Sequence, residues 1–281
     1  MNSDEPREIV SAHSPDSDDA FMFYGLATRK VRSPLVTFRH VLEDIESLNR
    51  KGLEGIYDLT AISYAAYPHL ADKYALMAYG SSIGDGYGPL VVGSHPMEPG
   101  ELKGKRIAVP GKFTSAFLTM QLFQPDFVAV VTPFDRILEA VREGAVEAGL
   151  IIHEGQLTYE REGFHRVVDL GKWWKACQGL PLPLGGNALL RALPERIKAE
   201  CCRMMRESIR YALDNREEAL AYAMQFARDL DNRMADKFVG MYVNHFTLDA
   251  GEVVPAAVKR LLDLGHQAGL IPRRVEVEFI R

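Results

Sequence analysis

Short apolar runs of strand length alternate with helix-length segments along the first 170 residues, and this alternation restricts the fold more than any other feature of the chain. Residues 8–12, 35–40 and 57–62 read as strands, followed by helical segments at 20–26, 41–48 and 64–70. In the second of these helices Val41, Ile45 and Leu48 fall on one face. Ser17 or Asp18 is placed to cap the first, and Ser63 the third. Two more strands, 74–79 and 88–92, flank Gly80–Gly86, where three glycines are free to take positive φ. A strand followed by a crossover helix returns parallel to its neighbour, so the pattern predicts a largely parallel sheet with helices on its faces.

The stretch His95-Pro96-Met97-Glu98-Pro99-Gly100 breaks the pattern, which then restarts. Strand 107–110, helix 115–122, strand 128–131, helix 133–143 and strand 148–153 follow in order. Thr132 is expected as the cap of helix 133–143, with Pro133 at its first position. A return strand at 166–170 leads to the proline- and glycine-rich segment 179–186, read as the path back to the first lobe. From Pro194 the spacing is helical: Ile197, Cys201, Met204, Met205, Ser208 and Ala212 form one stripe. Further helices are expected at 216–227, 231–243 and 251–264, the last ended by Gly265. One lobe, 1–94 plus 187–281, is thus interrupted by another, 95–186. That α/β layout, two lobes around a central cleft, resembles a type II periplasmic binding protein, with the two crossings as its hinges.

Charge and composition exclude several classes of function. Acidic residues outnumber basic ones, 38 to 33, and no basic run exceeds two residues, so no nucleic-acid partner is expected. No apolar run approaches the roughly 18 residues of a membrane span. The segment Met1–Glu8 is polar and acidic where a secretory signal has a basic start and an apolar stretch, so a cytoplasmic protein is expected. Cys177, Cys201 and Cys202 lack metal-ligand spacing and read as reduced thiols. Asp16, Asp18 and Asp19 lack the register of a calcium loop and read as turn and cap residues. No metal and no cofactor are expected, since no P-loop, dinucleotide fingerprint or nucleophile elbow occurs.

Ligands of open α/β sheets bind beyond the carboxyl ends of strands, beside helix amino termini that present free N–H groups. Four segments meet that condition: 13–19, 61–63, 111–115 and 153–154. Thr114 and Ser115, after a glycine and before a helix, suit either a carboxylate or a simple cap. Phe21, Tyr24, Tyr64 and Tyr67 suit either stacking on a ring or the core. His153 follows the apolar strand residues Leu150-Ile151-Ile152, which directs an imidazole of near-neutral pKa toward the cleft as a candidate general base.

At these same segments the chain resembles the 1,4-dihydroxy-6-naphthoate synthase family of menaquinone biosynthesis. The matching stretches include Ser14-Pro15 with Asp19 and Phe21, Val41-Leu42-Glu43-Asp44, Ser63-Tyr64-Ala65-Ala66-Tyr67, Gly88-Pro89-Leu90-Val91-Val92, Val109-Pro110-Gly111, Glu147–Glu154, Val168-Asp169-Leu170-Gly171, Gly179–Gly185 and Tyr242-Val243-Asn244. The resemblance implies a carbon–carbon lyase that converts cyclic dehypoxanthinyl futalosine to 1,4-dihydroxy-6-naphthoate. It further implies His153 as proton acceptor, with Ala61, Ile62, Ser63, Thr114, Ser115, Ser14 and Asp19 around a small carboxylated substrate. Two departures stand out. The family's first loop commonly reads Ser-Pro-Cys-Pro-Asn-Asp-Thr, against Ser14-Pro15-Asp16-Ser17-Asp18-Asp19-Ala20 here, and Ala61 stands where a lysine is common. Both make the mouth less positive, leaving Thr114, Ser115, their helix amino terminus, Lys112 or Arg39 for the substrate carboxylate. Two other classes compete: chorismate dehydratase, with a different loop signature, and a solute-binding protein, with an export signal or lipid-anchored cysteine.

Overall fold

Two mixed β-sheets organise the structure, a computed structural model that describes residues 5–227 and 231–281. Of the polar amino terminus, residues 1–4 lie outside the described residues. Strands β1 to β5 are Arg7–His13, Val36–Leu42, Leu59–Ser63, Tyr74–Met77 and Ser82–Gly84. Strands β6 to β10 are Leu90–Gly93, Arg106–Val109, Val128–Val131, Ala148–Ile151 and His165–Asp169. Strands β11 and β12 are Leu182–Leu190 and Phe279–Ile280. The first sheet runs β12-β4-β11-β3-β1-β2 with β5 beside β11, and the second runs β10-β6-β9-β7-β8.

The expected parallel arrangement holds for β1 with β2 and β3, and for β7 with β8 and β9. It fails at β11, which pairs antiparallel with β3, β4 and β5, and at β6, antiparallel to β9 and β10. The reason is topological: these are the strands by which the chain leaves one sheet and enters the other, without a crossover helix to reverse them. In the second sheet both faces are covered. Ile107 and Val109 join a cluster with Phe117, Met120 and Leu150, while Ala108 joins Ile137, Val141 and Val92 on the other side. The period of two therefore sorts neighbours of β7 onto opposite faces, each with its own helix. The first sheet carries the larger core, with Phe21, Tyr64, Tyr67, Tyr74 and Trp174 fully buried. Of the expected stripe, the helix Glu195–Asp214 buries Cys201, Met204, Met205, Ser208 and Ala212, while Ile197 in its first turn is only half-buried.

Several boundaries differ from the sequence reading. Val41 is a strand residue, because β2 continues to Leu42 and the helix Ile45–Glu54 begins only after Asp44, whose carboxylate accepts from Ser47 N–H at 3.1 Å. Thr132 does not cap: its hydroxyl donates to Val130 O, Pro133 precedes a 3₁₀ turn, and the α-helix starts at Ile137. The helix Ser17–Ala27 has Asp16 at its N-cap position, so Ser17 and Asp18 lie within the first turn. Gly265 sits inside the helix Val253–Gln267, where a Cβ would lie 2.6 Å from Ile271, and the positive φ that follows the helix belongs to Gly269.

The crossings also move. Strand Leu90–Gly93, expected in the first lobe, is an inner strand of the second sheet, and segment 179–186, expected as a linker, starts β11. The chain passes between sheets at residues 85–89 and again at 170–181. These two passages touch: Leu170 N–H donates to Pro89 O at 3.0 Å, and a Cβ on Gly171 would stand 1.9 Å from Tyr87 O.

Candidate active site

A pocket open to solvent, with about 790 Å³ of free space when the solvent at its mouth is counted, lies between the two sheets. Ser14, Asp19, Ala61, Ile62, Ser63, Thr114, Ser115 and His153 all line it. Phe21, Tyr24, Tyr64 and Tyr67, offered above as stacking partners, are instead buried in the first core. The aromatic walls are Phe238 and Tyr242, from the helix Asn232–Tyr242. Asn187 of β11 and Ser82 of β5 complete a polar rim. Phe238, Asn187 and Ser82 escaped the sequence reading, because their elements were read only as core helix and connecting chain.

His153 follows β9 by two residues and is mostly buried, its side chain 15% exposed. Its Nδ1 stands 2.9 Å from Asp16 Oδ2, and its ring packs against Phe134 with centroids 3.9 Å apart. Nε2 is buried and has no hydrogen-bond partner among the described residues. Asp16 was expected to serve as a turn or cap residue, but its carboxylate makes no cap bond and turns to the histidine. Ser14 Oγ donates to the same Asp16 oxygen at 2.9 Å, and Ser14 N–H donates to Asp19 Oδ2 at 2.8 Å. Next to them Ser17 Oγ donates to Glu154 Oε1 at 3.0 Å.

Four carboxyl groups thus crowd the mouth of one helix, and their protonation follows. Burial, then repulsion from Asp19, Asp16 and Glu154, holds the Asp18 carboxyl well above the usual range. Burial pushes Asp19 up to about 6 against the opposing pull of Ser14. Glu154 is also raised, by burial first and then by Asp16.

A second polar group is built from hydroxyls. Ser63 N–H donates to Asn49 Oδ1 at 2.8 Å while its Oγ accepts from Asn49 Nδ2 at 3.0 Å, so the Ser63 O–H keeps its hydrogen for another acceptor. Ser115 Oγ likewise accepts, from Ala65 N–H at 3.1 Å, and keeps its hydrogen. Thr114 serves as a cap: it accepts from Phe117 N–H at 3.1 Å and its one hydrogen goes to Gly111 O at 2.9 Å. Behind it, Ser115 and Ala116 of the first turn of the helix Ser115–Phe123, whose N–H groups have no intrahelical acceptor, line the cavity. Among the described residues no lysine or arginine lines the cavity; Lys112 is exposed, and Arg39 pairs with Glu8 at the surface. Neither of the two cations expected near a ligand carboxylate is thus part of the pocket lining.

Two hydrogen bonds join the parts of the chain that carry the two sheets. Phe113 N–H donates to Glu46 Oε2 at 3.0 Å, and Tyr242 O–H donates to Gln156 Oε1 at 2.7 Å. Among the described residues no group of three or more His, Cys, Asp or Glu side chains is arranged to hold a metal ion, and no helix is long and apolar enough to cross a membrane.

Comparison with known proteins agrees with this architecture. A family model described as menaquinone biosynthesis matches residues 9–267. The chain is 45% identical over 265 residues to a 1,4-dihydroxy-6-naphthoate synthase of Thermus thermophilus, covering 92% of this chain and 93% of that one. It is 37% identical over 270 residues to the enzyme of the same name from Streptomyces coelicolor, covering 93% and 94%. A solved structure from Archaeoglobus fulgidus superposes with a TM-score of 0.91 at 49% identity, over 94% of this chain and 98% of that one. The alkanesulfonate-binding protein of Xanthomonas axonopodis, solved with MOPS, has a TM-score of 0.73 at 16% identity over 98% of both chains, which shows a periplasmic-binding-protein-like fold.

Proposed function

Since the chain belongs to the menaquinone-biosynthesis family that includes those two 1,4-dihydroxy-6-naphthoate synthases, we propose that it is itself a 1,4-dihydroxy-6-naphthoate synthase. In this reading it is a carbon–carbon lyase of the futalosine route that takes cyclic dehypoxanthinyl futalosine to 1,4-dihydroxy-6-naphthoate and a three-carbon sugar fragment. The observation that carries it is His153, a mostly buried imidazole whose Nε2 has no hydrogen-bond partner among the described residues and whose ring lines the pocket between the two sheets. His153 removes a proton from the substrate, the freed electron pair drives ring cleavage, and aromatisation of the remaining ring supplies driving force. Ser63, Ser115 and the helix amino terminus beside Ala116 hold the naphthoate carboxylate; Thr114 orders that terminus rather than touching the ligand. Ala61 and Ile62 form the apolar wall, with Ser14 and Asp19 near the base. Lobes 1–94 plus 187–281 and 95–186, adjusted at the crossings, close over the substrate.

The test is turnover of the cyclic substrate by His153→Asn. That variant is expected to stay folded and bind substrate while kcat falls by about 10² to 10⁴. Near-normal turnover by the folded variant would leave the histidine structural and remove this mechanism.

A further inference from the structure

We propose that Asp16 is the positioning residue of His153, and that the pair is assembled across the cleft, so that the base acquires its partner only when the two sheets are closed on each other. The inference rests on the function proposed above.

Three observations carry it. First, Asp16 occupies an N-cap position, where an aspartate normally accepts from the free N–H groups of its helix, yet here it makes no such bond. Its carboxylate instead accepts from His153 Nδ1 at 2.9 Å and from Ser14 Oγ at 2.9 Å, while Ser14 Oγ in turn accepts from Asp16 N–H at 3.3 Å. Second, an ionised carboxylate can only accept, which fixes the histidine proton on Nδ1 and leaves the lone pair on Nε2, the buried nitrogen that has no hydrogen-bond partner among the described residues. Third, Asp16 follows β1 of the first sheet and His153 follows β9 of the second, and Ser17 meets Glu154 beside them across the same gap. Any opening of the cleft breaks the 2.9 Å contact.

The proton count is simple. A substrate C–H bond breaks, its electron pair stays on the substrate carbon, and the proton forms an N–H bond at Nε2. The resulting imidazolium lies against the Asp16 carboxylate, which offsets the charge. Asp18, Asp19 and Glu154 are the other carboxyls of this cluster, and Asp16 is the one whose oxygen stands at hydrogen-bond distance from the imidazole.

Steady-state kinetics of Asp16→Asn and Asp16→Ala on the cyclic substrate, with His153→Asn beside them, provide the test. Asp16→Asn is expected to change KM by less than about threefold and to lower kcat by about 10² or more, with the acid limb of its kcat–pH profile displaced to lower pH. Formate is expected to restore part of the kcat of Asp16→Ala and none of that of His153→Asn. If the neutral variants do not fold, Asp16→Glu serves: an intermediate kcat at unchanged KM supports positioning, and a wild-type kcat overturns it. A folded Asp16→Asn with wild-type kcat and profile overturns this inference while an inactive His153→Asn leaves the proposed function standing. An active His153→Asn removes the proposed function itself.

Discussion

Asp19 gives the cavity a wall whose charge changes within the ordinary range of an assay. Its carboxyl is pushed up to about 6 by burial, so it is neutral below that pH and negative above it. With no lysine or arginine among the described residues lining the cavity, a carboxylated ligand meets growing repulsion as pH rises. KM for the cyclic substrate is therefore expected to rise about 3- to 10-fold between pH 5 and pH 8, and to rise less in Asp19→Asn; parallel curves for the two proteins would exclude Asp19 as the cause. At this scale the sequence was legible where a residue type and a strand end coincide, as at His153. Asp16 was read as a turn residue because its partner is 137 positions away and nothing local marks a carboxylate for a distant imidazole. Thr114 was ambiguous for a physical reason: the same hydroxyl suits a helix N–H or a ligand, and the bond from Phe117 N–H is visible only in the structure.

Among the elements, the pair β1 and β2 is held at one end by two neutral histidines. His13 Nδ1–H donates to Ser14 O at 3.0 Å, His13 Nε2 accepts from His40 at 3.2 Å, and the His13 ring stacks on Phe23 at 4.0 Å. Burial and then the His40 neighbour lower His13 to about 3, and burial lowers His40 to about 4. Below the unfolded reference of about 6.5 the unfolded chain takes up protons that the native pair refuses. The stability present above pH 6.5 is thus lost as pH falls toward the native values, by roughly 2 kcal/mol at pH 5 from His13 alone. Urea unfolding at pH 7 and pH 5 should show a smaller drop in His13→Asn than in wild type, and equal drops would refute the assignment. Element order was legible because apolar runs carry it, whereas boundaries were not. Val41 has the spacing of a helix face, but pairing with Ala12 in the sheet overrides it, and Thr132-Pro133 looks like a helix start yet opens a 3₁₀ turn.

Over the whole molecule the decisive feature is the contact between the two passages of chain. Tyr87–Pro89 and Leu170–Gly171 are packed so closely that Gly171→Ala sets a methyl group 1.9 Å from a backbone carbonyl oxygen. That substitution is expected to destabilise by more than about 3 kcal/mol, whereas Gly100→Ala, which meets nothing within 4 Å, is expected to leave the melting temperature nearly unchanged. Equal melting temperatures for the two variants would show that the passages tolerate separation. The interrupted layout has another consequence, in the order of synthesis. Every strand of the five-stranded sheet lies between residues 90 and 169, so that sheet can close as soon as those residues have left the ribosome. Strand β3 waits for β11, more than a hundred residues downstream, and until then shows an unpaired edge on a strand that the finished fold buries throughout. Each doubling of such a loop costs only about 0.6 kcal/mol in closure entropy, so the delay burdens the nascent chain through exposure to aggregation far more than it burdens the finished fold through lost stability.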